Sequence, residues 1–178
     1  AFQLLSKNLK VTLNDKSKRR IQTLKSNLNR LNFTPKVLNK DFIKFDKNKK
    51  FDFIIIDAPC SAIGTIRKNP EIFFKSKTPD FDELNKLQQN MLEKAALLLN
   101  VGGNILYMTC SFIKNETFDQ INEFLKKNNN FLVANFILTE DNHNFSKLIK
   151  NNLMITIPDK ILNNNIDGYF AAYLKKIK

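Results

Sequence analysis

Two cysteines carry the most reactive chemistry this sequence offers. Cys60 sits in the run Asp57-Ala58-Pro59-Cys60-Ser61, and Cys110 stands between Thr109 and Ser111. Thiolates are the strongest side-chain nucleophiles near neutral pH, so either cysteine can bond an electrophilic carbon. Asp57 adds a carboxylate that can hydrogen-bond a base edge in the same crevice. The plainer alternative makes Asp57 a turn cap and each cysteine a small buried hydrophobe. The single histidine, His143, lies in an Asn-rich stretch with no acid–base partner and reads as a surface residue.

The elements that must position these groups alternate between short apolar runs and amphipathic stretches. Residues 10–15 read as a strand ending on Asp15, and 35–41 as a strand ending on Asp41. Between them, 17–32 places Ile21, Leu24, Leu28 and Leu31 on one stripe of a helix with basic residues elsewhere. The run 51–59 is apolar on both faces, as in the buried centre of a parallel sheet. A turn-rich loop, 60–80, leads to a helix over 81–100 with Gly102-Gly103 as its expected C-cap. A strand over 103–111, a helix over 114–128 and candidate strands at 131–138, 153–158 and 169–176 complete the chain. This alternation predicts α/β architecture with a mostly parallel sheet. Ligands of such sheets lie beyond the strand C-termini. Asp15, Asp41, Asp57 with Cys60, and Thr109 with Cys110 all fall there.

Composition narrows the partners. The 178 residues hold 29 Lys and Arg against 17 Asp and Glu, a formal charge of +12, which favours a polyanionic partner. Two cysteines exclude a disulfide-dense secreted scaffold and a multi-cysteine zinc site. No apolar run reaches the roughly 18 residues of a membrane span, and the first residues lack a signal-peptide layout, so a reduced, cytoplasmic protein is expected. Only four glycines occur, so neither a G-x-G-x-x-G fingerprint nor a P-loop can be present. The Asn tracts read as compositional bias without function.

Residues 57–72, DAPCSAIGTIRKNPEI, and 106–111, LYMTCS, resemble the RNA cytosine carbon-5 methyltransferases of the Sun or Fmu family. The likeness continues through Leu87-Gln88, Leu92, Ala95-Ala96 and Leu98-Leu99, and ends on DGYFAAYLKK at 167–176. It implies a Rossmann-like S-adenosylmethionine-dependent fold, mostly parallel, with an antiparallel last strand. It also implies a reaction in which Cys110 adds to carbon 6 of cytosine and carbon 5 then takes the methyl group. Cys60 is implied to help remove the carbon-5 proton and release the product, and Asp57 to hold the pyrimidine edge. The target base must leave its stack or come from a single strand. The T-C-S context distinguishes this chain from the DNA enzymes, which use the Pro-Cys thiol as nucleophile.

For the cofactor, S-adenosyl-L-methionine, the resemblance assigns Asp15 to the ribose hydroxyls and Asp41 to the adenine amino group, with Asp57 and Pro59 beside them. A helix N-cap is the alternative for Asp15, and an exposed loop aspartate for Asp41. Arg20 falls at a structural or RNA-facing position. Arg67 and Lys68, beside the reactive loop, are expected to contact RNA phosphates. The implied substrate is ribosomal RNA, with no membrane partner. Two departures stand out: Ala62 replaces the usual glycine of C-S-G, and of the usual P-E-E-N-E only Glu116 remains. In the family a loop A-P-G-G-K-T carries the methionine end of the cofactor, and Ala1-Phe2-Gln3-Leu4 matches the residues immediately after that loop. Residues 1–178 are therefore expected to be a catalytic domain incomplete at its N-terminus, lacking its first strand, folding marginally and binding the cofactor poorly. A catalytically silent RNA-binding relative or fragment is the competing reading. A cysteine hydrolase or redox protein lacks its paired His or C-x-x-C.

Overall fold

The structure is a computed structural model describing residues 1–74, 78–138, 146–161 and 164–178. His143 lies outside the described residues. The chain divides into two compact units, Ala1–Lys47 and Asn48–Lys178. Among the described residues no helix is long and apolar enough to cross a membrane.

The first unit contains α1 (Phe2–Leu5), β1 (Thr12–Asn14), α2 (Lys18–Arg30) and β2 (Lys36–Leu38). Strands β1 and β2 pair in parallel, with Leu13 opposite Val37, and α2 makes the crossover. Of the expected stripe, Ile21 and Leu28, two turns apart on α2, are buried and Leu24 is half-buried, whereas Leu31, the C-cap, is 37% exposed. The Ser17 hydroxyl accepts from the Arg20 N–H, so Ser17 and not Asp15 is the N-cap. At the other end Asn32 adopts φ 57°, and the Phe33 N–H reaches back to the Leu28 carbonyl at 2.9 Å. This is a Schellman closure with asparagine where glycine is usual. Asparagine tolerates left-handed backbone because its short amide can bond locally. Among the described residues, four of the five non-glycine residues with positive φ are asparagines, and Asn151-Asn152 form the two-residue turn of a hairpin. Some of the asparagine excess is thus structural, at positions a glycine-richer chain would give to glycine.

The second unit is built on a sheet of order β3-β4-β10-β7-β6, with β5 pairing beside β10. Its elements are β3 (Phe51–Asp57), α3 (Phe81–Leu98), β4 (Leu99–Thr109), α4 (Phe118–Lys127), β5 (Phe131–Val133), β6 (Ile149–Lys150), β7 (Leu153–Thr156) and β10 (Tyr169–Lys176). A separate antiparallel pair, β8 (Asp159–Ile161) with β9 (Asn164–Ile166), precedes β10. Strands β3 and β4 are parallel, and the last strand, β10, runs antiparallel between β4 and β7. The α/β class and the antiparallel closing strand match the expectation. The predicted strand over 131–138 is shorter, ending at Val133.

Alternation along the strands decides the core. Ile54 and Ile56 of β3, Ile105 and Tyr107 of β4, and Phe170, Ala172 and Leu174 of β10 are buried with Leu92, Ala95 and Leu98 of α3 and Ile121 and Phe124 of α4. Truncating a fully buried Leu or Phe of this set costs about 2–5 kcal/mol. The expectation that 51–59 is buried on both faces is corrected. Phe53 and Ile55, pointing the other way, are 43% and 39% exposed. Among the described residues β3 pairs only with β4, and β1 only with β2.

The expected Gly102-Gly103 cap of α3 is also corrected. The helix ends at Leu98 and Leu99 is already extended; Gly102, at φ 80°, instead lies where the β3–β4 register shifts. Lysines satisfy the carbonyls at the helix end. Lys176 Nζ donates to Ala96 O and Leu99 O at 2.9 and 3.0 Å, and Lys50 Nζ to Leu97 O at 2.6 Å. Cations suit this end because the helix dipole leaves it negative.

Candidate active site

Parallel pairing of β3 and β4 brings their C-terminal ends out side by side, with Asp57 level with Met108. The Ala58 N–H extends the ladder by donating to Met108 O at 2.9 Å. Pro59, which has no N–H, ends it, and the chain turns across the end of β4. The two sulfurs meet there: Cys60 Sγ and Cys110 Sγ lie 3.3 Å apart, from residues 50 apart in sequence. Both thiols are free and partly exposed.

A third segment locks this junction. The Gly64 N–H donates to Cys110 O at 3.0 Å, and the Gly168 N–H donates to Gly64 O at 2.7 Å. A Cβ on Gly64 would collide with the Gly168 carbonyl, and one on Gly168 with Gly64 Cα and the Phe112 ring. The close approach of two backbones requires glycine at both positions. Thr65 and Asn69 add local bonds, Thr65 Oγ1 to Ala62 O at 2.9 Å and Asn69 Nδ2 to Thr65 Oγ1 at 3.0 Å. Ala62 adopts φ 60°, ψ 17°, the left-handed region. An alanine in this conformation, which glycine adopts freely, leaves the reactive loop strained.

The electrostatics separate the two thiols. A hydrogen bond from Cys60 lowers the Cys110 thiol from 9.0 to about 7, against the opposing effects of burial and of the Asp57 and Glu116 charges. The same bond, then burial and the Cys110 charge, push Cys60 far above its usual value. The first proton the pair loses therefore leaves Cys110, which is about half ionised near pH 7. Asp57 is exposed at the end of β3.

Beneath the thiols lies a polar frame that the sequence reading did not identify. Glu116 is fully buried; its Oε1 accepts from the Ser61 N–H at 2.7 Å and its Oε2 from the Ser61 hydroxyl at 2.6 Å. Gln88 Nε2, also buried, donates to Pro59 O at 2.9 Å and to Glu116 Oε1 at 3.4 Å. The buried Tyr107 hydroxyl donates to Glu116 O at 3.0 Å. Burial drives the Tyr107 phenol well above its usual value, so it stays a donor. The available signal was the survival of Glu116 from an otherwise altered P-E-E-N-E pattern.

Arg67 and Lys68 have an internal partner. Arg67 Nε and Nη2 both lie 3.1 Å from Asp167 Oδ1, and Lys68 Nζ lies 2.6 Å from Oδ2. The Lys68 bond first, then the charges of both cations, hold the Asp167 carboxyl below its ordinary value. The two basic residues thus tie the loop after Cys60 to the entry of β10.

In the first unit, Asp15 follows β1 and accepts from the Ser17 N–H at 2.7 Å, with Arg20 Nε 2.9 Å from its other oxygen. Arg20 is therefore an orienting partner of Asp15. Asp41, beyond β2, is exposed and caps a 3-10 turn, accepting from the Ile43 N–H at 3.0 Å. Two carboxylates beyond adjacent parallel strands suit a ligand rich in hydroxyl and amino donors.

The chain matches the family model described as 16S rRNA methyltransferase RsmB/F over residues 2–175. It is 36% identical over 126 residues to ribosomal RNA small subunit methyltransferase B of Shewanella oneidensis, covering 69% of this chain and 29% of that protein. To the protein of the same name from Photorhabdus laumondii it is 35% identical over 165 residues, covering 91% and 35%. Among solved structures it resembles PH0851, with TM-score 0.80, 30% identity and coverage of 94% and 37%. It also resembles NSun6 from Pyrococcus horikoshii with SFG, with TM-score 0.79, 25% identity and coverage of 99% and 44%. The chain spans about a third of the length of these curated relatives, 29% and 35%.

Proposed function

Because this chain belongs to the 16S rRNA methyltransferase RsmB/F family, we propose that it serves a protein that transfers a methyl group from S-adenosylmethionine to carbon 5 of a cytosine in ribosomal RNA. The observation that carries the reading is the thiol pair, with sulfurs 3.3 Å apart at the ends of two neighbouring parallel strands. S-adenosylmethionine supplies an electrophilic methyl group. Asp15 and Asp41, beyond the strands of the first unit, supply acceptors for the ribose hydroxyls and the adenine amino group. Residues 1–178 belong to the catalytic domain in this reading.

The chain's own groups account for the remaining steps. The Cys110 thiolate adds to carbon 6, forming a carbon–sulfur bond as the carbon 5–carbon 6 π bond breaks, and the displaced electron pair makes carbon 5 nucleophilic toward the methyl group. Asp57 bonds the pyrimidine edge of the base. Forming the carbon–sulfur bond turns the Cys110 thiolate into a neutral thioether, which removes the hydrogen bond and the charge that kept Cys60 protonated, so Cys60 can give its proton to solvent and act as a base. After methylation it takes the carbon-5 proton. The electrons of the broken C–H bond form the carbon 5–carbon 6 double bond and expel Cys110 as a thiolate. Lys68, 61% exposed, and Arg67, 37% exposed, retain N–H donors beyond Asp167 for a nearby phosphate.

The test is a pair of variants in the full-length native chain with ribosomal RNA. Cys110→Ala is expected to lose methyl transfer, whereas Cys60→Ala is expected to accumulate a covalent protein–RNA adduct on denaturing gels. An adduct formed only by Cys110→Ala would reverse the roles.

A further inference from the structure

We propose that Glu116 is a positioning residue of the two-cysteine site, its buried carboxylate fastening the Pro59–Ser61 turn against β4 and so setting the 3.3 Å separation of the sulfurs. The role given to the cysteines rests on the methyltransferase reading above. Cys60 is pinned through both of its neighbours. Gln88 holds the carbonyl of Pro59 on one side, and Glu116 holds the N–H and hydroxyl of Ser61 on the other. Glu116 is itself fixed to the strand that carries Cys110, because Tyr107, three residues before Cys110, donates to its carbonyl. One residue thus joins the two thiol-bearing segments.

Burial defines the kind of role. A carboxylate out of water is costly unless its oxygens are bonded. Here Oε1 receives two N–H donors and Oε2 a hydroxyl. With no exposure, Glu116 does not reach a substrate. Its effect must pass through the placement of Cys60, and placement depends on reach. Aspartate keeps the charge but falls one methylene short of Ser61. Glutamine keeps the reach and an oxygen for the Ser61 N–H, and its amide can donate to the Ser61 hydroxyl.

The experiment follows the pH midpoint of Cys110 alkylation by iodoacetamide, read by peptide mapping on the full-length native chain without RNA. The titratable groups bearing on Cys110 are Cys60, Asp57 and Glu116. The wild type is expected near 7, with Glu116→Asp and Glu116→Ala displaced toward 9.0 and Glu116→Gln at or below the wild-type midpoint. Gln88→Met, which removes the donor to Pro59 O at similar volume, moves the same way and serves if the Glu116 variants fail to fold. With RNA and methyl donor, Glu116→Asp and Glu116→Ala should still form the adduct and release it about 10- to 100-fold more slowly. Glu116→Gln should restore release. Rescue by aspartate rather than glutamine, or unchanged midpoints in all variants, would overturn the proposal. If Cys60→Ala traps no adduct, the role given to Cys60 fails, while the alkylation midpoints still decide whether Glu116 places it.

Discussion

Removing Cys60 should disarm Cys110 before any substrate arrives. The bond from the Cys60 thiol is the largest influence lowering Cys110 from 9.0 to about 7. At pH 7 a thiol of pKa about 7 is roughly half ionised, and one of about 9 roughly 1% ionised, a ratio of about 50. Cys110 is partly exposed and water can replace some of the lost donation, so about a ten-fold fall in thiolate is the working expectation. The sign is fixed. A depressed thiol is charged above its midpoint, so reactivity rises with pH through about 7 in the wild type and only at higher pH in the variant. The assay is Cys110 alkylation against pH in Cys60→Ala and Cys60→Ser. Serine, with its shorter hydroxyl, should fall between the wild type and alanine. In strong alkali the three proteins should react alike, since all are then ionised. A Cys60→Ala midpoint still near 7 would refute the reasoning.

Three further outcomes concern the loop. Ala62→Gly should relieve about 1–2 kcal/mol of left-handed strain and return about 0.5–1 kcal/mol of unfolded-chain freedom, a net gain of about 0.5–1 kcal/mol in denaturant unfolding. Gly64→Ala should cost about 1–3 kcal/mol in the same measurement, because its methyl meets the Gly168 carbonyl. Asp167 is held ionised by Lys68 and Arg67, so its support of the loop is full above the ordinary value of 3.8 and is lost as pH falls through its lower folded value. Hydrogen exchange over 61–69 should therefore show extra protection at neutral pH that disappears in acid, and Asp167→Asn should lack that pH-dependent part.

Chemistry carried by strand ends was legible in the sequence. Apolar runs located β3 and β4, parallel pairing placed their ends together, and the two cysteines fell at those ends. The helical stripe of α2 was equally clear, since Ile21 and Leu28 are what the core receives. Features settled by tertiary partners were not legible. The end of α3 is closed by Lys176 and Lys50, from remote segments, and no local pattern distinguishes these from surface lysines. Asp167 pairs with residues 100 and 99 positions away, so Arg67 and Lys68 read as free cations. Glu116 looked like a remnant of an altered motif until its two oxygens were seen on Ser61. Nor does an apolar run such as β3 say how many of its faces are covered: Ile54 and Ile56 are buried while Phe53 and Ile55 are exposed.

The central claim is that Cys110 is the nucleophile of cytosine carbon-5 methylation. Its most direct test is the position of labelled methyl in small-subunit ribosomal RNA treated with the full-length wild type and with Cys110→Ala. The account predicts label at carbon 5 of cytosine, with no incorporation above background in the variant. Label on another atom or on protein, or undiminished labelling by Cys110→Ala, would contradict it.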